Sequence, residues 1–230
     1  MQSIKEMLQQ VALLKGLDEE DLDRIEKNAI RRRFQKGSII FMHGEPLDRI
    51  FFILQGSVKI YRSDAAGREQ IVAMLQTEDM FPHTGFFKSS GGYPANAEAL
   101  KDTLLIMIPI NQFENLLKEN PELSIKLFRI MGQKIIELQN RLEEQILHNT
   151  YEKVILLLIR LGGKYGVPCI NGMTKINMRF TNRDLANMIG VTRETISRTF
   201  AQLKKEDLIE TDEENYLYIN PDHLKDKIYN

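Results

Sequence analysis

The feature that most constrains this 230-residue chain is a change of hydrophobic period at Pro121. Before it, "FQKGSIIFMHGEPLDRIFFILQGSVKIYRSDAAGREQIVAMLQ" runs as short β-branched and aromatic stretches parted by Gly37, Gly44, Gly56 and the Ala66-Gly67 pair. That punctuation belongs to tightly turned antiparallel strands. Further short strands follow through "NAEALKDTLLIMI" and end near Pro109, so this part is expected to close into a sandwich or barrel of roughly 100 residues. After Pro121 the apolar residues recur at helical spacing. A chain whose run of strands gives way to a mainly helical part is predicted to be α+β with two domains, which also suits its length. Ahead of the strands, "IKEMLQQVALLKGLDEEDLDRIEKNA" carries helical spacing broken at Gly16 and predicts two short helices.

Within the helical part, Met131, Ile135, Leu138 and Leu142 recur at steps of four, three and four, with Lys134, Glu137, Gln139, Arg141, Glu143 and Glu144 between them. So thin an apolar seam suits a helix that pairs with another helix, here a second copy of the chain, better than one that faces a broad core. Asn149 followed by Glu152 resembles a capping box and places a hinge at His148 to Thr150. The next helix is expected to end at Gly162-Gly163, and "KINMRF" reads as a short strand. The divisions predicted are therefore 1–120, 121–148 and 149–230.

The most informative stretch is "TNRDLANMIGVTRETISRTFAQLKKEDLIETDEENYLYINP". Thr181 with Asp184 caps one short helix lined by Leu185, Ala186 and Ile189; Gly190 allows a sharp turn, plugged by Val191; Thr192 caps a second helix with Ile196, Phe200 and Leu203 facing inward. Helix, turn and helix in that register form a helix-turn-helix, and "DLIETDEENYLYI" adds a two-stranded wing around Asp212 to Asn215. The first turns of such a second helix point into the DNA major groove. Arg193 and Arg198 are suited to fork onto guanine, Glu194 to accept from a cytosine amino group, and Ser197 to sit against a base edge. Lys175, Arg179, Arg183, Arg193, Arg198, Lys204 and Lys205 face only Asp184 and Glu194 between positions 175 and 205, a local basic excess suited to phosphates.

Composition closes off other classes. Lys plus Arg number 31 against 32 Asp plus Glu, which excludes a uniformly basic coat but not a basic face. No apolar run approaches the roughly 18 residues that span a bilayer. The charged start "MQSIKEMLQQ" is unlike a signal peptide, so a cytoplasmic location without membrane contact is expected. One cysteine, Cys169, excludes an internal disulfide or four-cysteine iron-sulfur cluster and reads as a small half-buried residue. No Ser-His-Asp, Cys-His or HExxH arrangement and no G-x-x-x-x-G-K loop emerges, so the chain is not expected to be an enzyme.

Taken in order, "GSIIFMHGEPLDRIFFILQGSVKIY", the seam helix and "TNRDLANMIGVTRETISRTFAQLKKEDLI" resemble the bacterial CRP/FNR regulators, the cyclic-AMP receptor protein and fumarate-nitrate-reduction regulator family. The resemblance implies a cyclic-nucleotide-binding-like β-roll, a long dimerisation helix and a C-terminal winged helix-turn-helix. Such a homodimer would read a palindrome of TGTGA or TTGAT type. It implies base reading by Arg193, Glu194, Ser197 and Arg198, phosphate contacts at Asn182, Arg183, Thr192 and Thr195, and RNA polymerase as a partner.

The sensor end departs from that pattern. Cyclic-AMP binders of the family carry Gly-Glu for the ribose and Arg-Ser for the phosphate, where this chain has Pro82-His83 and Tyr93-Pro94. Without those groups a buried phosphate lacks its counter-charge, so gating by cyclic AMP is not expected. His83, Phe86 and Tyr93 are the candidate lining of an effector pocket, though the aromatic residues equally suit core packing. A lone His beside a proline is most often structural, so neither haem nor any other cofactor or metal is expected. The Arg31 to Arg33 triplet reads as a solvated strand edge. Two alternatives stay open: control of DNA binding by a non-nucleotide or haem effector, and a helix-turn-helix that serves only protein contacts.

Overall fold

The computed structural model describes residues 3–84, 91–169 and 172–229. The chain divides into two compact units, Met1–Ile136 and Glu137–Asn230.

The first unit opens with α1 (Ile4–Leu8) and α2 (Glu19–Glu26), the two short helices expected on either side of Gly16. Among the described residues eight strands follow: β1 (Ile30–Phe34), β2 (Ile39–Phe41), β3 (Arg49–Gln55), β4 (Ser57–Ser63), β5 (Glu69–Gln76), β6 (Met80–Phe81), β7 (Asn96–Ala99) and β8 (Thr103–Pro109). They form two antiparallel sheets ordered β1-β8-β3-β6 and β2-β7-β4-β5. Strands β3 and β8 are buried on both faces, which explains why their sequences read as unbroken apolar runs. Phe51, Ile53, Leu105 and Met107 point between the sheets into a cluster with Phe34, Phe41, Phe81 and Tyr93. The alternate residues Ile50, Phe52, Ile106 and Ile108 point outward, to a second cluster built with Leu8, Leu14, Leu22 and Phe113.

Helical period begins earlier than Pro121. Helix α3 (Ile110–Glu119) precedes it, placing Phe113 and Leu116 in the outer cluster. It lacks a side-chain cap, and two buried residues make too short a stripe to announce a helix. Helix α4 (Pro121–Leu147) then runs for 27 residues, and the boundary between the two units falls within it.

In the second unit α5 (Thr150–Tyr165) starts at the expected capping box: Asn149 accepts from the Tyr151 and Glu152 backbone N–H groups, and Glu152 returns to the Asn149 N–H. It does not stop at Gly162-Gly163 but continues to Tyr165. Gly162 is there for close packing rather than termination, since a Cβ would stand 2.6 Å from Cδ1 of Ile219. Strand β9 (Gly166–Pro168) follows, then β10 (Thr174–Ile176), which takes only the start of "KINMRF". After α6 (Asn182–Ile189) and α7 (Arg193–Lys205), β11 (Ile209–Thr211) and β12 (Leu217–Ile219) complete a sheet ordered β11-β12-β10-β9, and α8 (Pro221–Tyr229) ends the chain. Val154, Leu158, Ile176, Ile196, Leu203, Ile219 and Leu224 are among its core residues.

Candidate nucleic-acid interface

Helices α6 and α7 are positioned by short-range contacts that their sequences dictate. Thr181 accepts from the Asp184 N–H, and the Asp184 carboxylate takes the Thr181 N–H at 2.9 Å and its hydroxyl at 2.7 Å. Gly190 ends α6 at φ 72°, a left-handed conformation that costs glycine no Cβ clash. Thr192 then caps α7 by accepting from the Thr195 N–H at 3.2 Å. Leu185, Ala186 and Ile189 are buried beneath α6, and Ile196 and Leu203 beneath α7. Phe200 is only half-buried; Thr199 takes the inward place instead.

That inward set leaves Arg193, Glu194, Ser197 and Arg198 together on the exposed side of the first turns of α7. The Asn182 amide donates to Ser197 Oγ at 3.1 Å, so the start of α6 orients a hydroxyl on α7 and leaves its proton able to turn outward. The Thr192 and Thr195 hydroxyls lie 3.0 Å apart. Hydrogen bonding from its own backbone N–H, then from the Thr192 hydroxyl, with Arg193 and Arg198 nearby, holds the Glu194 carboxyl below its ordinary value. Glu194 therefore presents an acceptor, flanked by the donor forks of two arginines. Arg183 is exposed on the first turn of α6. A cleft of about 360 Å³ separates this surface from the wing, lined by Asn182, Ser197, Phe200, Lys204, Thr211 and Asn215 among others.

The basic footprint is narrower than the sequence suggests. Lys175 Nζ lies 3.6 Å from Asp212 and 4.1 Å from the Tyr216 ring centre, and Arg179 lies 3.2 Å from Glu214. Both cations are engaged by acids of the wing tip, a pairing that a count limited to positions 175–205 misses. Tyr218 and Asp212 hold Lys175 above the ordinary lysine value.

The last turns of α4 reach the same unit. Gln145 Nε2 donates to the carbonyl of Ile189, the last residue of α6, at 3.3 Å. Arg160 of α5 pairs with Glu144, and Lys153 donates to the Gln145 carbonyl at 3.0 Å. Of the seam residues, Ile135, Leu138 and Leu142 are exposed by 57%, 60% and 63%. Met131 differs: it is half-buried and packs on the outer cluster of the first unit. Phe128, exposed by 66%, lies seven residues before Ile135 and extends the stripe, though the sequence reading omitted it.

Of the three residues nominated for an effector pocket, the structure describes His83 and Tyr93, which part company. Tyr93 is buried in the inter-sheet cluster, stacked on Phe41 with ring centres 3.8 Å apart, and its hydroxyl donates to Asp48 at 3.1 Å. Burial first, and then Asp48, push its phenol well above the ordinary value. His83 is half-buried and does not line the cavity that Tyr93 lines. Phe86 and Phe87 lie outside the described residues. Cys169 is half-buried, as expected.

A family model described as "Cyclic nucleotide-binding domain" matches residues 31–120, and one described as "Crp-like helix-turn-helix domain" matches residues 152–227. The "Global nitrogen regulator" of Nostoc sp. is 32% identical over 179 residues, covering 76% of this chain and 79% of its own. The chain belongs to the CRP/FNR family of transcription regulators. CRP/FNR regulators bind DNA through the helix-turn-helix and dimerise. Two solved structures share the CRP/FNR fold with this chain. FixK2 from Bradyrhizobium japonicum has a TM-score of 0.73 at 21% identity, covering 86% of this chain and 96% of that one. A CooA mutant from Carboxydothermus hydrogenoformans has a TM-score of 0.77 at 19% identity, covering 94% of each. No described helix of this CRP/FNR chain is long and apolar enough to cross a membrane.

Proposed function

We propose that this regulator acts as a homodimer on a palindromic DNA site with TGTGA- or TTGAT-like half-sites, without gating by cyclic AMP. The observation that carries the reading is the exposed quartet Arg193, Glu194, Ser197 and Arg198 on the first turns of a capped helix whose other side is buried. Two arginine forks, one acceptor and one short hydroxyl match a mixed row of guanine and cytosine edges in the major groove. Asn182, Arg183, Thr192 and Thr195 surround that quartet at the two helix N-termini, where phosphates are favoured.

Homodimerisation is supported by the stripe Phe128, Ile135, Leu138 and Leu142, which is exposed in one chain and has coiled-coil spacing. Paired α4 helices would present two recognition helices about one DNA turn, roughly 34 Å, apart. The Gln145 contact to the Ile189 carbonyl links a shift of α4's last turns to the helix-turn-helix turn. Independence from cyclic AMP is supported by Tyr93, which stands where the family's phosphate-binding arginine would. Its ring is stacked and its hydroxyl donates to a carboxylate, so it supplies no positive charge. The protein is read as cytoplasmic, working with RNA polymerase and without a cofactor or catalytic activity.

Fluorescence anisotropy tests this at fixed near-physiological salt, with a labelled TGTGA-type palindrome and a scrambled duplex, each with and without cyclic AMP. Selective binding that the nucleotide leaves unchanged is expected. Equal binding to both duplexes under every condition would overturn the base-reading assignment, and selectivity that arises only with cyclic AMP would overturn the ungated reading.

A further inference from the structure

Asn182 stands at the first position of α6, where a short polar side chain usually bonds the nearby backbone. Thr181 and Asp184 already satisfy that end of the helix through their reciprocal bonds. The Asn182 amide is therefore spared for another partner. It reaches across to α7 and donates to Ser197 Oγ at 3.1 Å. The two residues are 15 apart in the chain, and the left-handed turn at Gly190 lets the two helices bring them together.

This bond decides what Ser197 can offer to DNA. A serine inside a helix commonly gives its proton to the carbonyl four residues earlier, here that of Arg193. The Ser197 hydroxyl makes no such bond, and its only partner among the described residues is Asn182. Its proton is thus unclaimed by the protein, on an exposed residue between the exposed Glu194 and Arg198. Accepting one hydrogen bond also polarises a hydroxyl and makes it a better donor. In the major groove guanine O6 and N7, adenine N7 and thymine O4 accept, whereas the amino groups of cytosine and adenine donate. A serine held in this way answers the first set. The second proton of the same amide is left for a phosphate, so one side chain ties the backbone register to the reading of a base.

We propose that Asn182 is a positioning residue for base reading: it fixes Ser197 as a hydrogen-bond donor, so that one position of each half-site is read through a base acceptor. The inference rests on the DNA-binding reading above and gives one of its contacts a direction. Ser197 joins Arg193 and Arg198 as a donor, and Glu194 is left as the single acceptor of the quartet.

Bases that lack single groove atoms test this. The full chain first selects its best half-site from a pool of randomised palindromes. In that duplex each acceptor is deleted in turn, with 7-deazapurines for N7, 2-aminopurine for guanine O6 and 5-methyl-2-pyrimidinone for thymine O4. Each donor is deleted with purine for adenine and 2-pyrimidinone for cytosine. Affinities are read by fluorescence anisotropy at fixed salt, and every loss is compared with the loss in Ser197→Ala, so that altered base pairing cancels. One acceptor deletion per half-site is expected to weaken the wild type about three- to tenfold more than Ser197→Ala, the span of a single hydrogen bond. In Asn182→Leu that difference should fall below about twofold. In Asn182→Asp, whose carboxylate takes the hydroxyl proton, it should vanish. Loss of a phosphate contact in either variant weakens all duplexes alike and cannot imitate a change at one position. A circular dichroism melt checks folding, and Asn182→Asp carries the test where Asn182→Leu does not fold. A Ser197-dependent loss that is absent, or that follows a deleted donor, or that persists in the Asn182 variants, would overturn the proposal and leave the DNA-binding reading standing. A pool from which no sequence is enriched would overturn both.

Discussion

The recognition helix turns its polar side chains outward and fixes them with neighbours a few residues away, whereas the roll turns polar groups inward and fixes them across distant strands. Thr192, Glu194 and Thr195 settle one another within a single turn. Asp48 and Tyr93, by contrast, meet from the approaches to β3 and β7, 45 residues apart. Chemistry on the helix can therefore be altered without touching the core, while chemistry in the roll is tied to folding. Substitutions on the two surfaces should separate into changes of binding and changes of stability.

The largest effect is expected where neither surface is touched. Leu138→Glu combined with Leu142→Glu places like charges on the exposed stripe of α4. Sedimentation should then give a monomer, and affinity for the palindrome should fall about 10²–10⁴-fold, because two half-sites are no longer held together. An unchanged dimer would mean that the stripe is covered by something else.

Next comes Arg198→Ala, which should cost about 1–3 kcal/mol of DNA affinity and relax the preference at one base pair of each half-site, with the melting temperature unchanged. Uniform weakening across all sequences would reassign Arg198 to phosphate binding. Tyr93→Phe is its counterpart in the roll. The ring stacking survives, but the hydrogen bond to Asp48 is lost, so stability should fall by about 0.5–1.5 kcal/mol while DNA affinity stays the same.

The same contrast sets what the sequence could reveal. Caps, the turn glycine and the inward apolar set of α6 and α7 are local, and each residue's neighbours lie within the motif. Strand β3 was legible between Gly44 and Gly56, and β8 as a short apolar run ending at Pro109, because such punctuation is local as well. What they face was not, since both faces are covered and no alternation survives. His83, Phe86 and Tyr93 were grouped because they stand in one altered segment, but the Tyr93 side chain is claimed by Phe41 and Asp48, far earlier in the chain. Arg49 carried no sign of its burial: next to Asp48 it reads as an ordinary surface pair, and only the folded roll buries one of its nitrogens. Gly162 misled for a related reason, since a glycine that admits a neighbouring strand looks, in one dimension, like one that ends a helix.

The smallest effect expected tests how far the wing shares in the binding surface. Its tip, Asp212, Glu213 and Glu214, is acidic, which is unfavourable beside a duplex. Two of those acids engage Lys175 and Arg179. The Arg179 and Glu214 side chains are 59% and 69% exposed, so their attraction is heavily screened. Glu214→Gln removes one negative charge and releases Arg179 to a phosphate. Affinity for the palindrome should rise only about two- to fivefold, the range that exposed ion pairs span. The diagnostic quantity is the salt dependence: one more cation on the phosphates steepens the slope of log K against log salt by about one. A rise in affinity at constant slope would mean that relief of repulsion, not a new contact, is the cause. No change in either quantity would place the wing away from the duplex and leave α6 and α7 to carry the contact.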